Sequence, residues 1–292
     1  MPLRSRTSND GRPNLPVFFV IDTFVFYDTR MEVRVYSNTR RPGVGMQPRR
    51  EGSRPLLPQH ARHCPVLEAG SSLGFMIYAS LEPKESLYVE FEGDGRYKFV
   101  YYLQTQGGKR TPIFQVTMSL SVGGIGMMKE EVTFVGAPML SREAALAVMR
   151  AFLVPEDMGT PAGAIALRGA TNFQTPSGWD TVYVPILNMI ERPVAPMLSV
   201  RVETDWYTHE TEFRYVLQPG EGITVEHSIP IGQVFFVPRE EITMRQCTAE
   251  ELKTIEVSRD EFHHHKAAAT QQTSYGLSYS PHYLRQSRAK KE

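Results

Sequence analysis

Residues 164–184 read AIALRGATNFQTPSGWDTVYV. Apolar and polar residues alternate along this run, and a period of two buries one face of a β-strand. Pro176-Ser177-Gly178 interrupts it with a turn whose glycine reaches φ > 0 without strain. The run therefore reads as antiparallel strands joined by tight turns. The same alternation continues to Arg239 and takes in both tryptophans, Trp179 and Trp206. Residues 164–239 are the frame of an all-β domain to which the rest of the chain attaches.

Upstream the same signals recur. Leu73–Ala79, Leu87–Phe91, Tyr97–Leu103, Ile113–Ser121 and Glu131–Val135 are predicted strands. They are broken by Gly93-Asp94-Gly95, by Gln106-Gly107-Gly108-Lys109 and by Gly123-Gly124-Ile125-Gly126. Val17–Tyr27 and Met31–Tyr36 flank Asp28-Thr29-Arg30 as a hairpin. Strands at this spacing argue for a sandwich or barrel rather than alternating α/β units.

Two helices are expected. Ser141 caps Arg142–Phe152, with Ala145, Met149 and Phe152 as its packing stripe. Thr248-Ala249-Glu250-Glu251 is a capping box that opens the second, which carries Leu252 and Ile255. A further box, Ser258-Arg259-Asp260-Glu261, would restart that helix towards Ala269. Residues 38–65 hold five prolines and six arginines with little periodicity, and read as a linker or a draped arm. The expected fold is mainly β: an antiparallel, jelly-roll-like β-sandwich with two flanking helices and extended termini. It divides into a basic N-terminal arm (1–14), a sandwich domain (15–272, including the irregular 38–65) and an extended basic tail (273–292).

The chain has 292 residues, 41% hydrophobic and 22% charged, which is ordinary for a soluble protein. No apolar run approaches the roughly 20 residues that span a bilayer. Met1–Pro16 carries three arginines and no apolar signal core, so the expected location is the cytoplasm or a virion, not secretion through a signal peptide. Two cysteines, Cys64 and Cys247, make no disulfide framework and fit a reducing compartment.

A formal net charge of zero hides an asymmetry. Residues 1–62 hold 11 Lys/Arg against 5 Asp/Glu, residues 253–292 hold 7 against 4, and the middle holds 14 against 23. Basic ends on an acidic body favour contact between copies, or with other subunits of an assembly, through Arg4, Arg6, Arg12, Arg49, Arg50, Arg285, Arg288, Lys290 and Lys291. Nucleic acid is a partner only through these arms, and a membrane is not one. Merely solvated ends are the plain alternative.

Catalytic patterns are weak. Ser121–Gly126 lacks the Lys-Ser/Thr of a phosphate loop and reads as a turn or bulge. His60, His63 and Cys64 offer part of a zinc site that Cys247 or His227 would have to complete. His263, His264 and His265 point about 100° apart on a helix and cannot converge on one ion. Gly222–Pro238 has the rhythm of a cupin strand pair, but His227 stands alone in it. On a strand, His209 faces opposite to Glu210 and Glu212, which breaks a facial triad. No Gly-x-Ser-x-Gly elbow occurs, and neither cysteine has a helix-start context. Glu203 and Asp205 could pair for acid–base work, or accept hydrogen bonds from turn amides. No cofactor is expected.

Phe173-Gln174-Thr175-Pro176-Ser177-Gly178-Trp179, then Asn188, Val202-Glu203-Thr204-Asp205-Trp206, Phe213 and Val225–Arg239 stand in a specific order. In this the chain resembles an uncharacterised bacterial family with Thr-Pro-x-Gly-Trp and Val-Glu-Thr-Asp-Trp motifs, over about residues 164–265. The resemblance implies no activity. Read physically, Trp179 covers Val182 and Val184, while Trp206 shares a face with Val200, Val202 and Thr204 and roofs the core. The functional alternative has Trp179, Asn188, Asp205 and Trp206 lining a pocket at one sandwich end. Three functions follow: a non-catalytic assembly protein, for example of a virion; an accessory protein binding a small molecule or peptide at the tryptophan end; or a cupin-like metal-dependent enzyme. The fold hosts all three.

Overall fold

The computed structural model describes residues 31–52, 64–105, 107–119, 129–136, 140–154, 161–189, 197–272 and 278–290, with residues 274 and 276. The chain divides into Met1–Met31, of which only Met31 is described, and Glu32–Glu292, which holds every element below. The expected strand Val17–Tyr27, the 1–14 arm and the Gly123–Gly126 turn lie outside the described residues.

In chain order the strands are β1 (Arg34–Ser37), β2 (Phe75–Ile77), β3 (Glu85–Gly93), β4 (Arg96–Gln104), β5 (Arg110–Ser119), β6 (Lys129–Phe134), β7 (Leu153–Val154), β8 (Ala164–Arg168), β9 (Thr171–Gln174), β10 (Trp179–Val184), β11 (Met197–Leu198), β12 (Val200–Val202), β13 (Glu212–Val216), β14 (Gly222–Glu226), β15 (Gly232–Pro238), β16 (Gln271–Gln272) and β17 (Ser278–Tyr279). The helices are α1 (Pro65–Ser71), α2 (Arg142–Phe152), α3 (Ala249–Ala268) and α4 (His282–Ala289). Every strand pair among them is antiparallel, and the chain is mainly β and sandwich-like.

Three sheets build the body. One has five strands in the order β14-β3-β4-β5-β6; two have four, β12-β10-β15-β2 and β11-β13-β8-β7. The five-stranded sheet follows from alternation: Leu87, Val89 and Phe91 on β3, Tyr97, Phe99 and Tyr101 on β4, and Phe114, Val116 and Met118 on β5 are all buried. The β3–β4 connection is the expected Gly-Asp-Gly turn, with φ of 93°, 49° and 69° at Gly93, Asp94 and Gly95. Across the strands, Tyr101 stacks on Phe114 at 5.3 Å between ring centroids.

These inner faces share one continuous core with α2 and the other two sheets. Ala145, Met149 and Phe152, the expected stripe of α2, are all buried, and Tyr97 donates a hydrogen bond to the Ala164 carbonyl at 3.2 Å. Phe213 meets Tyr183 edge-on at 5.7 Å, tying β13 to β10. A Cβ on Gly232 would lie 2.1 Å from the Phe213 ring, so only glycine admits the ring there.

Ser141 caps α2 as expected, its hydroxyl accepting from the Ala144 amide at 3.1 Å. Ser141→Ala is therefore expected to cost about 1 kcal/mol, read as a lower urea midpoint at unchanged slope. Thr248 and Glu251 form the reciprocal capping box of α3.

Several expectations change. Four helices, not two, occur among the described residues. Pro65 does not close the irregular segment but opens α1, at a first-turn position where its missing N–H costs nothing. Ser258–Glu261 does not restart α3, which is unbroken: a box requires its serine to leave helical φ/ψ, and Ser258 stays helical. The tail is not extended throughout. Gln271–Gln272 pairs with Ser278–Tyr279, and His282–Ala289 is helical, as its leucine, arginines and glutamine favour. β1 pairs with β9 through Val35↔Phe173.

Residues 38–52 lie on the body. Arg41 forks onto Glu85 at 2.8 and 3.0 Å and covers the Phe152 ring. Arg49 exchanges backbone hydrogen bonds with Met76, and Arg50 stacks over Phe75 at 4.9 Å. No helix among the described residues is long and apolar enough to cross a membrane.

Candidate interaction surfaces

Threonine and aspartate hydrogen bonds between two turns govern the first surface, where residues 175–180 meet residues 203–211. Thr175 donates to the Trp179 carbonyl at 2.6 Å, and hydroxyl contacts run from Thr175 to Thr204 at 2.9 Å and from Thr204 to Thr181 at 2.7 Å. Each hydroxyl has one hydrogen, so Thr204 donates to Thr175 and Thr181 to Thr204. Thr204 is fully buried and anchors the loop that follows.

Arg239 clamps the two turns. It donates to Asp180 through Nε at 3.0 Å and Nη2 at 2.5 Å, and to Asp205 through Nη2 at 2.7 Å. Asp180 also accepts from Arg201 Nε at 2.6 Å, and Asp205 from the Gly178 amide at 2.9 Å. The Asp180 side chain is only 2% exposed. Burial alone would raise its pKa, but hydrogen bonds from Arg239 and Arg201 override this and hold it below the usual carboxylate range. The Arg239 bond and the Gly178 amide lower Asp205 likewise.

A carboxylate with a depressed pKa contributes stability above its unfolded pKa, about 3.9 for aspartate, which is lost as pH falls through the folded value. Asp180→Asn is expected to lower stability at pH 7, and its deficit relative to wild type should shrink at pH 3. Urea unfolding at the two pH values measures both; an equal deficit at each would contradict the clamp.

Glu203 and Asp205 thus do not make an acid–base pair. Asp205 serves a turn amide and a guanidinium, and Glu203 accepts the Trp206 indole N–H. Trp206 itself does not roof the core. The chain turns at residues 204–206, which throws the indole outward to 68% exposure. Tyr207, 49% exposed, follows at 5.7 Å between ring centroids, and His209 stacks on Tyr207 at 5.4 Å and 13°.

Trp179 is part-buried at the start of β10, opposite Pro238. Asn188 lies beyond the other end of β10, where it donates to Ser71 Oγ at 3.0 Å and the Leu67 carbonyl at 3.2 Å. The strand alone separates its ends by about 17 Å at about 3.3 Å per residue. Asp205 and Trp206 are brought together near Trp179; Asn188 is not, and instead pins α1.

A second charge cluster adjoins the loop. Arg168 pairs with Glu210, and with Glu212 at 3.5 Å. Glu212 also meets His209 Nε2 at 3.8 Å and Arg214 at 3.9 Å, while Thr39 donates to Glu210 at 2.5 Å. Strand alternation would put His209 and Glu212 on opposite faces; they meet because β13 begins only at Glu212 and the preceding residues curl. Burial lowers the His209 pKa, although Glu212 opposes this. Among the described residues no three His, Cys, Asp or Glu side chains are placed to hold a metal ion. Contrary to expectation, Cys64 does stand at a helix start, the N-cap of α1, because Pro65 opens that helix; His60 and His63 lie outside the described residues.

The other surface is C-terminal. From Pro238 to Glu250 every residue is exposed, including Ile242 at 87% and Met244 at 96%. α3 follows with no buried residue in 20. Arg245 folds the segment back onto α3 through Glu251, at 2.7 and 2.6 Å, leaving an open hollow of about 960 Å³ that Met244, Cys247 and Ile255 help to line. α4 lies against α3 through Phe262 and His282, 4.9 Å apart, and presents Arg285 and Arg288 to solvent, with Lys290 just beyond it; Lys291 is outside the described residues. A separate apolar cavity of about 60 Å³, lined by Leu167, Ile186, Met197, Tyr215 and Ile229 among others, has room for little more than a water or two.

No protein-family model and no curated protein matches this chain.

Proposed function

We propose that this chain is a non-catalytic assembly protein, joined to neighbouring copies through its C-terminal arm as in a particle or virion shell. The observation that carries the reading is α3: 20 residues, about 30 Å long at 1.5 Å per residue, with none buried. Most helix stability in proteins comes from packing an apolar face, and an isolated helix of this length is marginal in water. Its composition does not compensate, since Thr254, Ile255 and Val257 are β-branched and three histidines run together. A capping box contributes about 1 kcal/mol at most sites, too little to replace a packed face.

Leu252 and Ile255, each about half exposed, are spaced three apart, as a helix seam requires. Ile242 and Met244 extend the same apolar material onto the preceding segment. Aliphatic side chains displayed this way favour a protein partner. Arg285 and Arg288 add the basic charge that an acidic body attracts.

Hydrogen exchange tests this. Amides of α3 are expected to gain protection as protein concentration rises from the nanomolar to the high micromolar range. Unprotected α3 amides at every concentration would remove the reading.

A further inference from the structure

We propose that the exposed pair Trp206 and Tyr207, with the part-buried His209 stacked on Tyr207, is a binding platform for neutral carbohydrate, a site separate from the C-terminal arm. Its rings follow one another at 5.7 Å and then 5.4 Å between centroids, with Tyr207 tilted 41° to Trp206 and stacked nearly parallel on His209. The row is set before any ligand arrives. Thr204 is buried behind it, the Trp206 and Tyr207 amides donate to the Glu203 carbonyl at 3.4 and 3.0 Å, and Asp205 is tied to Gly178 and Arg239. Glu203 holds the indole N–H. A ligand that stacks here pays little ordering entropy, which is how rigid aromatic side chains gain affinity.

The charges around the row select the ligand class. Asp180 and Asp205 are balanced by Arg239 and Arg201, and Glu210 and Glu212 by Arg168 together with Arg40, at 3.8 Å, and Arg214, at 3.9 Å. Among the described residues of this surface each of these guanidiniums faces a carboxylate, which weakens the long-range attraction on which polyanion binding depends. A quaternary ammonium finds its natural acid, Glu203, already holding an indole proton. What remains is the exposed indole of Trp206, with Tyr207 beside it, edged by polar groups. Arg201 and Arg239, 50% and 35% exposed, each retain N–H donors beyond those given to aspartate. A pyranose has the matching chemistry: C–H groups on one face to lie on the rings, and hydroxyls at the rim to accept from guanidinium.

The test is a glycan array carrying neutral, sialylated and sulfated oligosaccharides, probed with the labelled full-length chain. Binding to neutral glycans is expected, at least tenfold weaker in Trp206→Ala, several-fold weaker in Tyr207→Ala, and largely retained in Trp206→Phe. Thermal unfolding of the variants should match wild type, since the indole is exposed. No binding to neutral glycans, binding unaltered by Trp206→Ala, or binding confined to the sialylated and sulfated spots would each overturn the proposal.

Discussion

Phe213→Ala is expected to cost about 3–5 kcal/mol of folding stability. The ring is fully buried, meets Tyr183 edge-on, and occupies the space that a Cβ on Gly232 would need. It therefore joins β13, in one four-stranded sheet, to β10 and β15 in the other. Removing it deletes the transfer energy of a phenyl group and leaves a cavity that two sheets crossing at glycine cannot easily close. A domain of this kind has a net stability of about 5–15 kcal/mol, so the variant loses a large part of what it has. Trp206→Ala, by contrast, is expected to change stability by less than about 0.5 kcal/mol, as for other exposed sites. Urea denaturation of both variants at low protein concentration measures the difference. A Phe213→Ala protein within about 1 kcal/mol of wild type would mean that the two sheets do not share a core.

The second large effect concerns association. Leu252→Glu combined with Ile255→Glu is expected to weaken assembly at least 100-fold, about 3 kcal/mol at 1.4 kcal/mol per tenfold. Two aliphatic groups are lost from the seam, and two carboxylates would have to be desolvated to remake it. The β body should be indifferent, because α3 buries no residue. The double variant is thus expected to sediment as a monomer with an unchanged thermal midpoint of the body and reduced helical circular dichroism, since α3 loses its support. Undiminished assembly would place the contact elsewhere on the chain.

How much of this could be read in advance depends on whether the governing chemistry is local. The Gly93-Asp94-Gly95 turn, the Ser141 cap and the Thr248–Glu251 box each act within four residues, and each is legible as written. So is the buried stripe of α2, because helical spacing alone puts Ala145, Met149 and Phe152 together.

Partnership across the chain is not local. Arg239 reaches Asp180 only because β15 and β10 pair in the register that sets Trp179 opposite Pro238. Nothing near Asp180 in sequence announces the arginine. Extending the Val200–Val202 alternation put Trp206 inward; a turn at Thr204, anchored by two distant threonines, put it outside. The same curl brings His209 to Glu212. Arg50 reads as a free cation because the sequence does not show that Phe75 lies beneath it, and Arg49 is held to Met76 by its backbone. Tyr207 is not legible for a related reason: an aromatic residue beside a tryptophan on a strand would point the other way, and the loop lets both face solvent.

The most direct measurement of the central proposal is the mass of the particle in solution. Light scattering on the full-length chain, compared with a chain ending at Glu241, which keeps the Arg239 clamp, is expected to show concentration-dependent multiples of the 33.1 kDa protomer for the first and a monomer for the second. Monomers from both at every concentration would contradict assembly through the C-terminal arm, and equal multiples from both would contradict the arm as its site.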